Sequence, residues 1–159
     1  MKKTIALLLA LVAALSLAAC AKKEESDLSY VKEKGTLVVG ITDFAPMDYK
    51  DENGEWIGFD ADMAKAFAES LGVKVEFVEI DWDNKILELD AKTIDCVWNG
   101  MTLTDEVKSA MECTWAYCNN AQVVVVPKDK AELYPDKESC KDLQFAAEAG
   151  SAGEAEIAK

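Results

Sequence analysis

Three short apolar runs, at residues 36–42, 73–80 and 94–98, constrain this chain most, because a helical pattern follows each of them. Such runs, bounded by turn residues, suit buried strands, and strands alternating with helices suit a mostly parallel α/β sheet. Gly35 punctuates the start, and Asp43-Phe44-Ala45-Pro46 ends the first run, since Pro46 steers the residue before it away from helix. Asp51-Glu52-Asn53-Gly54 is a turn between two short extended pieces. Asp60 is the expected cap of a helix to Leu71, with Met63, Phe67 and Leu71 on one face and Gly72 as the stop. In the second run Val73, Val75 and Phe77 share one side. A short helix is expected at 83–89. Another runs from Thr104 to Met111, with Asp105 and Glu106 at its positive end. Further strands are expected at 122–126 and 143–147, with a polar loop at 128–141 between them, and Gly150–Gly153 opens a last helix.

The first residues read differently. Met1-Lys2-Lys3 is a basic start, and an uncharged apolar stretch follows from Ile5 to Leu17. It falls short of the roughly 20 residues that span a bilayer, which is the layout of a secretory signal. Leu17-Ala18-Ala19-Cys20 resembles the lipobox of bacterial lipoproteins, in which the chain is cut before a cysteine that carries a diacyl (palmitate-type) anchor. The expectation is a signal peptide at 1–19, a lipidated Cys20 and a polar tether over 20–30. Two acyl chains suffice for stable anchoring. The protein would then sit outside the cytoplasm, on the outer face of the cell membrane or facing the periplasm.

Charge and residue types exclude several functions. The chain of 159 residues carries a net charge of −13, and loss of Lys2 and Lys3 with the signal takes it to −15. Nucleic-acid binding depends on neutralising phosphates with Lys and Arg, so an acidic chain argues against it. All 17 basic residues are lysines. Without histidine the commonest general base and zinc ligand is missing, and without arginine so is bidentate clamping of a carboxylate. Cys96, Cys113, Cys118 and Cys140 match no zinc spacing. Cys113 and Cys118 are near enough in sequence to pair in an exported chain, and small buried thiols are the equal alternative. No metal, cofactor or catalytic residue is expected.

An ordered set of motifs carries a resemblance. Gly35-Thr36-Leu37-Val38-Val39-Gly40, Asp43-Phe44-Ala45-Pro46-Met47 and Trp56-Ile57-Gly58-Phe59-Asp60-Ala61-Asp62 open it. The stretch Ile94–Thr104, Tyr117 and Glu148-Ala149-Gly150-Ser151-Ala152-Gly153-Glu154 continue it. Together they resemble the family 3 solute-binding proteins of bacterial ABC importers, which bind polar amino acids. The resemblance implies a type II periplasmic-binding-protein-like fold: two lobes of mostly parallel sheet with flanking helices and a hinge. The first lobe would be residues 31–121. The hinge strand and the start of an incomplete second lobe would be residues 122–159, as in a C-terminally truncated member.

It also implies site residues. Phe44 and Trp82 match aromatics that sandwich the ligand or cradle its ammonium, and both fall at strand ends, where open α/β sheets bind ligands. Gly100, Met101 and Thr102 match a segment that meets the ligand's amino and carboxylate groups. Ser151 and Ala152 match a turn whose backbone N–H groups meet the carboxylate. Asp43 is placed for the ammonium, and Glu148 for side-chain specificity. Val107 departs from the pattern, standing where many members carry a carboxylate-clamping arginine. Ala116 departs too, where a proline usually precedes the tyrosine.

The leading reading is a monomeric, non-enzymatic lipoprotein that closes on an amino acid or similar small polar solute and delivers it to ABC permease subunits. An enzyme on the same fold, such as a periplasmic dehydratase, is the alternative, with Asp43, Glu148 or a lysine as its only titratable candidates. A ligand-sensing domain of a signalling receptor is the third.

Overall fold

The computed structural model describes residues 26–159; the expected signal peptide, Cys20 and the start of the tether lie outside the described residues. Residues 26–35 form one unit and Thr36–Lys159 another. In the first, α1 (Asp27–Lys34) is capped by the Ser26 hydroxyl, which accepts from Ser29 N at 3.2 Å. Gly35 ends it at φ 74°. Asp27 in its first turn and Lys32 and Lys34 in its last match the helix dipole. This helix takes in residues 27–30, which the sequence reading placed in the tether.

The larger unit is built on a three-stranded parallel sheet ordered β4–β1–β5, with β1 (Thr36–Ile41) central. Strand β1 pairs along its whole length with β4 (Lys74–Glu79), Thr36 opposite Lys74 through Ile41 opposite Glu79. On its other side Val39 and Gly40 face Cys96 and Val97 of β5 (Cys96–Val97). Leu37, Val39 and Ile41 share one face of β1 and are buried, while on the other face Val38 is half-buried and Gly40 lies under Ile94 and Ile80. A two-stranded antiparallel ribbon, β2 (Tyr49–Lys50) and β3 (Trp56–Ile57), closes over Asp51, whose carboxylate accepts from Asn53 N and Glu55 N.

The main helix, α2 (Phe59–Leu71), starts one residue before the expected cap. Gly58 holds the cap position at φ 117°, where an added Cβ would strike the Met47 carbonyl, and Asp60 is inside the helix. Its buried face is Asp60, Ala61, Ala64 and Ala68, not Met63, Phe67 and Leu71. The alanines bring the backbone close to the sheet, so the larger side chains are pushed to the flank. There Phe67 packs at 5.7 Å against Trp98 and stays 45 % exposed. Ile41, Trp56 and Ala61 form a core cluster joined by Phe77.

A single 3₁₀ turn (Trp82–Asn84) runs into α3 (Lys85–Asp90), and Thr104 caps α4 (Asp105–Ala110) by accepting from Val107 N at 3.2 Å. Two expected strands are not formed. Residues 122–126 and 143–147 run without regular structure, and Val123 and Val125 are 77 % and 88 % exposed. A strand needs a neighbour to take its N–H and C=O groups, and among the described residues no strand pairs with either segment. The last helix, α5 (Ala152–Ile157), is short. Cys96, Cys113, Cys118 and Cys140 are all free thiols. Burial pushes Cys96 up to about 12, so it is an inert packing group. No described helix is long and apolar enough to cross a membrane.

Candidate functional site

The carboxyl ends of β1, β4 and β5 lie side by side, and the chain leaving each of them lines one cavity of about 280 Å³. Thr42 and Phe44 follow β1, Trp82 follows β4, and Asn99, Gly100 and Thr102 follow β5. The opposite wall comes from Asn120–Val123, Glu148, Ser151 and Ala152. This is the crevice in which open α/β sheets bind small molecules.

Seven of the nine residues expected at a ligand site meet here: Phe44, Trp82, Gly100, Thr102, Glu148, Ser151 and Ala152. Met101 lines an adjoining recess of about 120 Å³ that shares Trp82, Thr102, Ser151 and Ala152 with the larger cavity. Asp43, an exposed residue, lines neither. Thr42, Asn99, Asn120, Gln122 and, in the recess, Lys85 were missed. Asn99 and Thr42 directly precede expected residues. Lys85 had a signal as well, since it stands three residues after Trp82, one helical turn on.

The polar groups are arranged with some economy. Gly100 is required by its neighbour: a Cβ there would lie 2.6 Å from Phe44 Cε1, so only glycine lets the ring rest on the chain. The buried Asn99 donates to Thr42 Oγ1 and keeps an unpartnered Oδ1. Thr102 Oγ1 accepts from Asn120 Nδ2 at 2.8 Å and from Gln122 Nε2 at 3.2 Å. Both lone pairs are then used, and its O–H is left as a donor. Ser151 Oγ accepts from Glu154 N at 3.1 Å, and Glu154 Oε2 accepts from Gly150 N at 2.8 Å. This reciprocal cap occupies the Gly150 N–H with the chain's own carboxylate.

A second buried polar cluster lies outside the cavity. Asp48 and Asp60 are both fully buried, where the sequence reading made Asp60 a helix cap and gave Asp48 no role. Asp60 Oδ1 accepts from Tyr117 Oη at 2.7 Å. Burial raises the Asp60 pKa, and hydrogen bonding from Tyr117, with the pull of the Trp98 indole N–H from outside strict bonding geometry, holds it partly back. Asp48 is raised further, to about 7, by burial and then by the Asp60 charge, and the Ala61 N–H offsets this in part. As pH rises the Tyr117-bonded Asp60 ionises first and Asp48 keeps its proton longer. Burial and the Asp60 contact push the Tyr117 hydroxyl upward as well. Tyr117 thus fastens the chain leading to Asn120–Val123 onto α2. Tyr117→Phe is expected to lower the unfolding free energy by about 1–3 kcal/mol, the cost of a lost hydrogen bond to a buried charged group. Urea denaturation at pH 8 measures it, and an unchanged midpoint would refute the fastening role.

Comparison with known proteins gives a consistent result. Residues 37–152 match the family model described as bacterial extracellular solute-binding proteins, family 3. A probable histidine-binding protein of Neisseria gonorrhoeae is 36 % identical over 132 residues, which are 82 % of this chain and 49 % of the relative. The L-cystine-binding protein of Escherichia coli K12 is 34 % identical over 120 residues, 75 % of this chain and 44 % of the relative. Among solved structures, an ancestral amino-acid-binding protein described as a precursor of cyclohexadienyl dehydratase superposes with a TM-score of 0.80 at 38 % identity. That match covers 84 % of this chain and 60 % of the other. The chain spans about half the length of the curated relatives it matches.

Proposed function

Since the chain belongs to the bacterial extracellular solute-binding proteins of family 3, we propose that it is the receptor part of an ABC importer, taking up an amino acid in the cavity beyond β1, β4 and β5. Its α/β fold is that of a type II periplasmic-binding protein, and on this reading the chain supplies the first lobe and the start of the second. One observation carries the reading: Phe44 and Trp82 face a cavity whose sheet-side wall also bears Gly100 and the donor hydroxyl of Thr102. Two aromatic walls with a few placed polar groups suit a small zwitterion. On this reading a lipid on Cys20 keeps the receptor at the membrane, and the ligand-closed form hands its cargo to the permease.

The enzymatic alternative has less support. Among the described residues the acids at the site are Glu148 on the cavity wall and Glu106 in the recess, both exposed, whereas catalytic acids are usually buried or set beside a charge. Calorimetric titration of the full-length protein with the standard amino acids and cystine is expected to show binding of at least one of them. Phe44→Ala is expected to weaken that binding roughly tenfold, about 1.4 kcal/mol. Silence across the whole set overturns the receptor reading, and an unchanged affinity in Phe44→Ala removes the aromatic wall from it.

A further inference from the structure

We infer that Lys85 recognises an anionic group of the ligand, and that the ligand presents a carboxylate to the recess which Lys85 lines; this rests on the cavity being the binding site proposed above. Lys85 is 7 % exposed, an unusual place for a lysine in a chain with so much charged surface. Its ammonium donates to the carbonyl oxygens of Trp82 and Gly150, each at 3.1 Å, and lies 4.8 Å from the centre of the Trp82 ring. Those contacts use two of its three N–H donors and bring no negative charge. The described ion pairs join other lysines to acids, and none includes Lys85. A buried charge with only neutral hydrogen-bond partners is costly, and no described carboxylate forms an ion pair with Lys85, although Asp83 lies against Gly150 and Glu106 borders the recess.

The recess supplies the remaining chemistry. Thr102, with both lone pairs occupied, offers its O–H. Val107 is buried and makes an apolar wall, which strengthens a charge contact by excluding water. Thr104 is occupied in capping α4, and Glu106 lines the recess but is solvent-exposed. One ammonium N–H and one hydroxyl make a pair of donors on the buried side of the recess, which fits a carboxylate. A recess of about 120 Å³ beside a cavity of about 280 Å³ also sorts the two ends of an α-amino acid: carboxylate toward Lys85, side chain between Phe44 and Glu148.

The test compares acids with their decarboxylated amines on the full-length protein, by calorimetry. Probes are histidine against histamine and cystine against cystamine, or any other standard amino acid that binds against its own amine. Wild type is expected to prefer the amino acid at least 30-fold. Lys85→Gln keeps donors for both carbonyls but removes the charge. It should weaken the amino acid about 10- to 100-fold, the range of a charge-assisted bond, and change the amine less than twofold. Lys85→Arg should stay within a few-fold of wild type. Equal affinity of Lys85→Gln for the amino acid overturns the inference, and so does a parallel loss of acid and amine, which would mean a structural prop. If Lys85→Gln fails to fold, the wild-type comparison decides, because an amine that binds as well as its amino acid overturns the inference alone. A wild type that binds no amino acid overturns the receptor reading instead.

Discussion

Replacing Asp48 by asparagine is expected to raise the unfolding free energy at pH 8 by about 2–4 kcal/mol and to flatten its dependence on pH. The sign follows from the proton count. In the unfolded chain Asp48 titrates near its ordinary value of 3.8, and in the folded protein near 7. Between those values the folded state holds a proton that the unfolded state has lost. Stability therefore falls as pH rises, by at most about 1.4 kcal/mol per unit, and levels off above the folded value. Asp60 is shifted in the same direction, so it adds to the slope. Asparagine has nearly the same shape and cannot ionise, so it removes the buried charge without opening a cavity. Thermal unfolding at pH 5 and pH 8 reads the effect: wild type loses roughly 5–10 °C between the two and Asp48→Asn much less. A variant whose profile runs parallel to wild type would show that the proton is held elsewhere.

The second large effect is at Ile94. Truncating it to alanine should cost about 3–4 kcal/mol, within the range for buried Ile→Ala changes. Ile94 is 1 % exposed and packs against β1 at Gly40, where an added Cβ would lie 2.6 Å from Ile94 Cδ1. The glycine is the hole into which the isoleucine fits. Ile94→Ala leaves that hole beside the central strand, and Gly40→Ala should then fill part of it. The double variant is expected to regain about 1 kcal/mol, although Gly40→Ala alone crowds Ile94 and Ile80. Urea midpoints of the four proteins give the coupling. A loss below about 1 kcal/mol in Ile94→Ala, or strict additivity, would contradict this packing.

The parts of the fold that could be read in advance are those whose chemistry is local. The run at 36–42, with Leu37–Ile41 free of polar side chains between two threonines, contains the central strand β1. Gly72 ends α2, Thr104 caps α4 and Ser151 caps α5, because a left-handed stop and a hydroxyl at a helix start need only their nearest neighbours. The crevice was legible for a related reason: strand ends fix where the following residues emerge, so Phe44, Trp82 and Gly100 reach one cavity. What stayed hidden depends on distant partners. Nothing beside Asp48 or Lys85 in the sequence says that either is buried; Asp60 and Gly150 meet them only after folding. The alanine face of α2 was misjudged since periodicity favours the larger apolar residues, whereas close approach to a sheet favours small ones. The valines at 122–126 have strand-forming side chains, yet a ladder needs a second chain segment.

The two walls of the cavity differ in kind. Thr42, Asn99 and Gly100 extend from strands paired in the sheet, and the chain at Asn120–Val123 and Glu148 has no regular structure. The second wall is held by side-chain bonds from Asn120 and Gln122 to Thr102, not by a backbone ladder, so a ligand seated between the walls is expected to stiffen it more than the first. Each ordered backbone residue forfeits about 1–2 kcal/mol of conformational entropy. The heat signature of binding should therefore be a favourable enthalpy opposed by an unfavourable entropy, and stiffening the looser wall alone would tighten the complex without adding a contact.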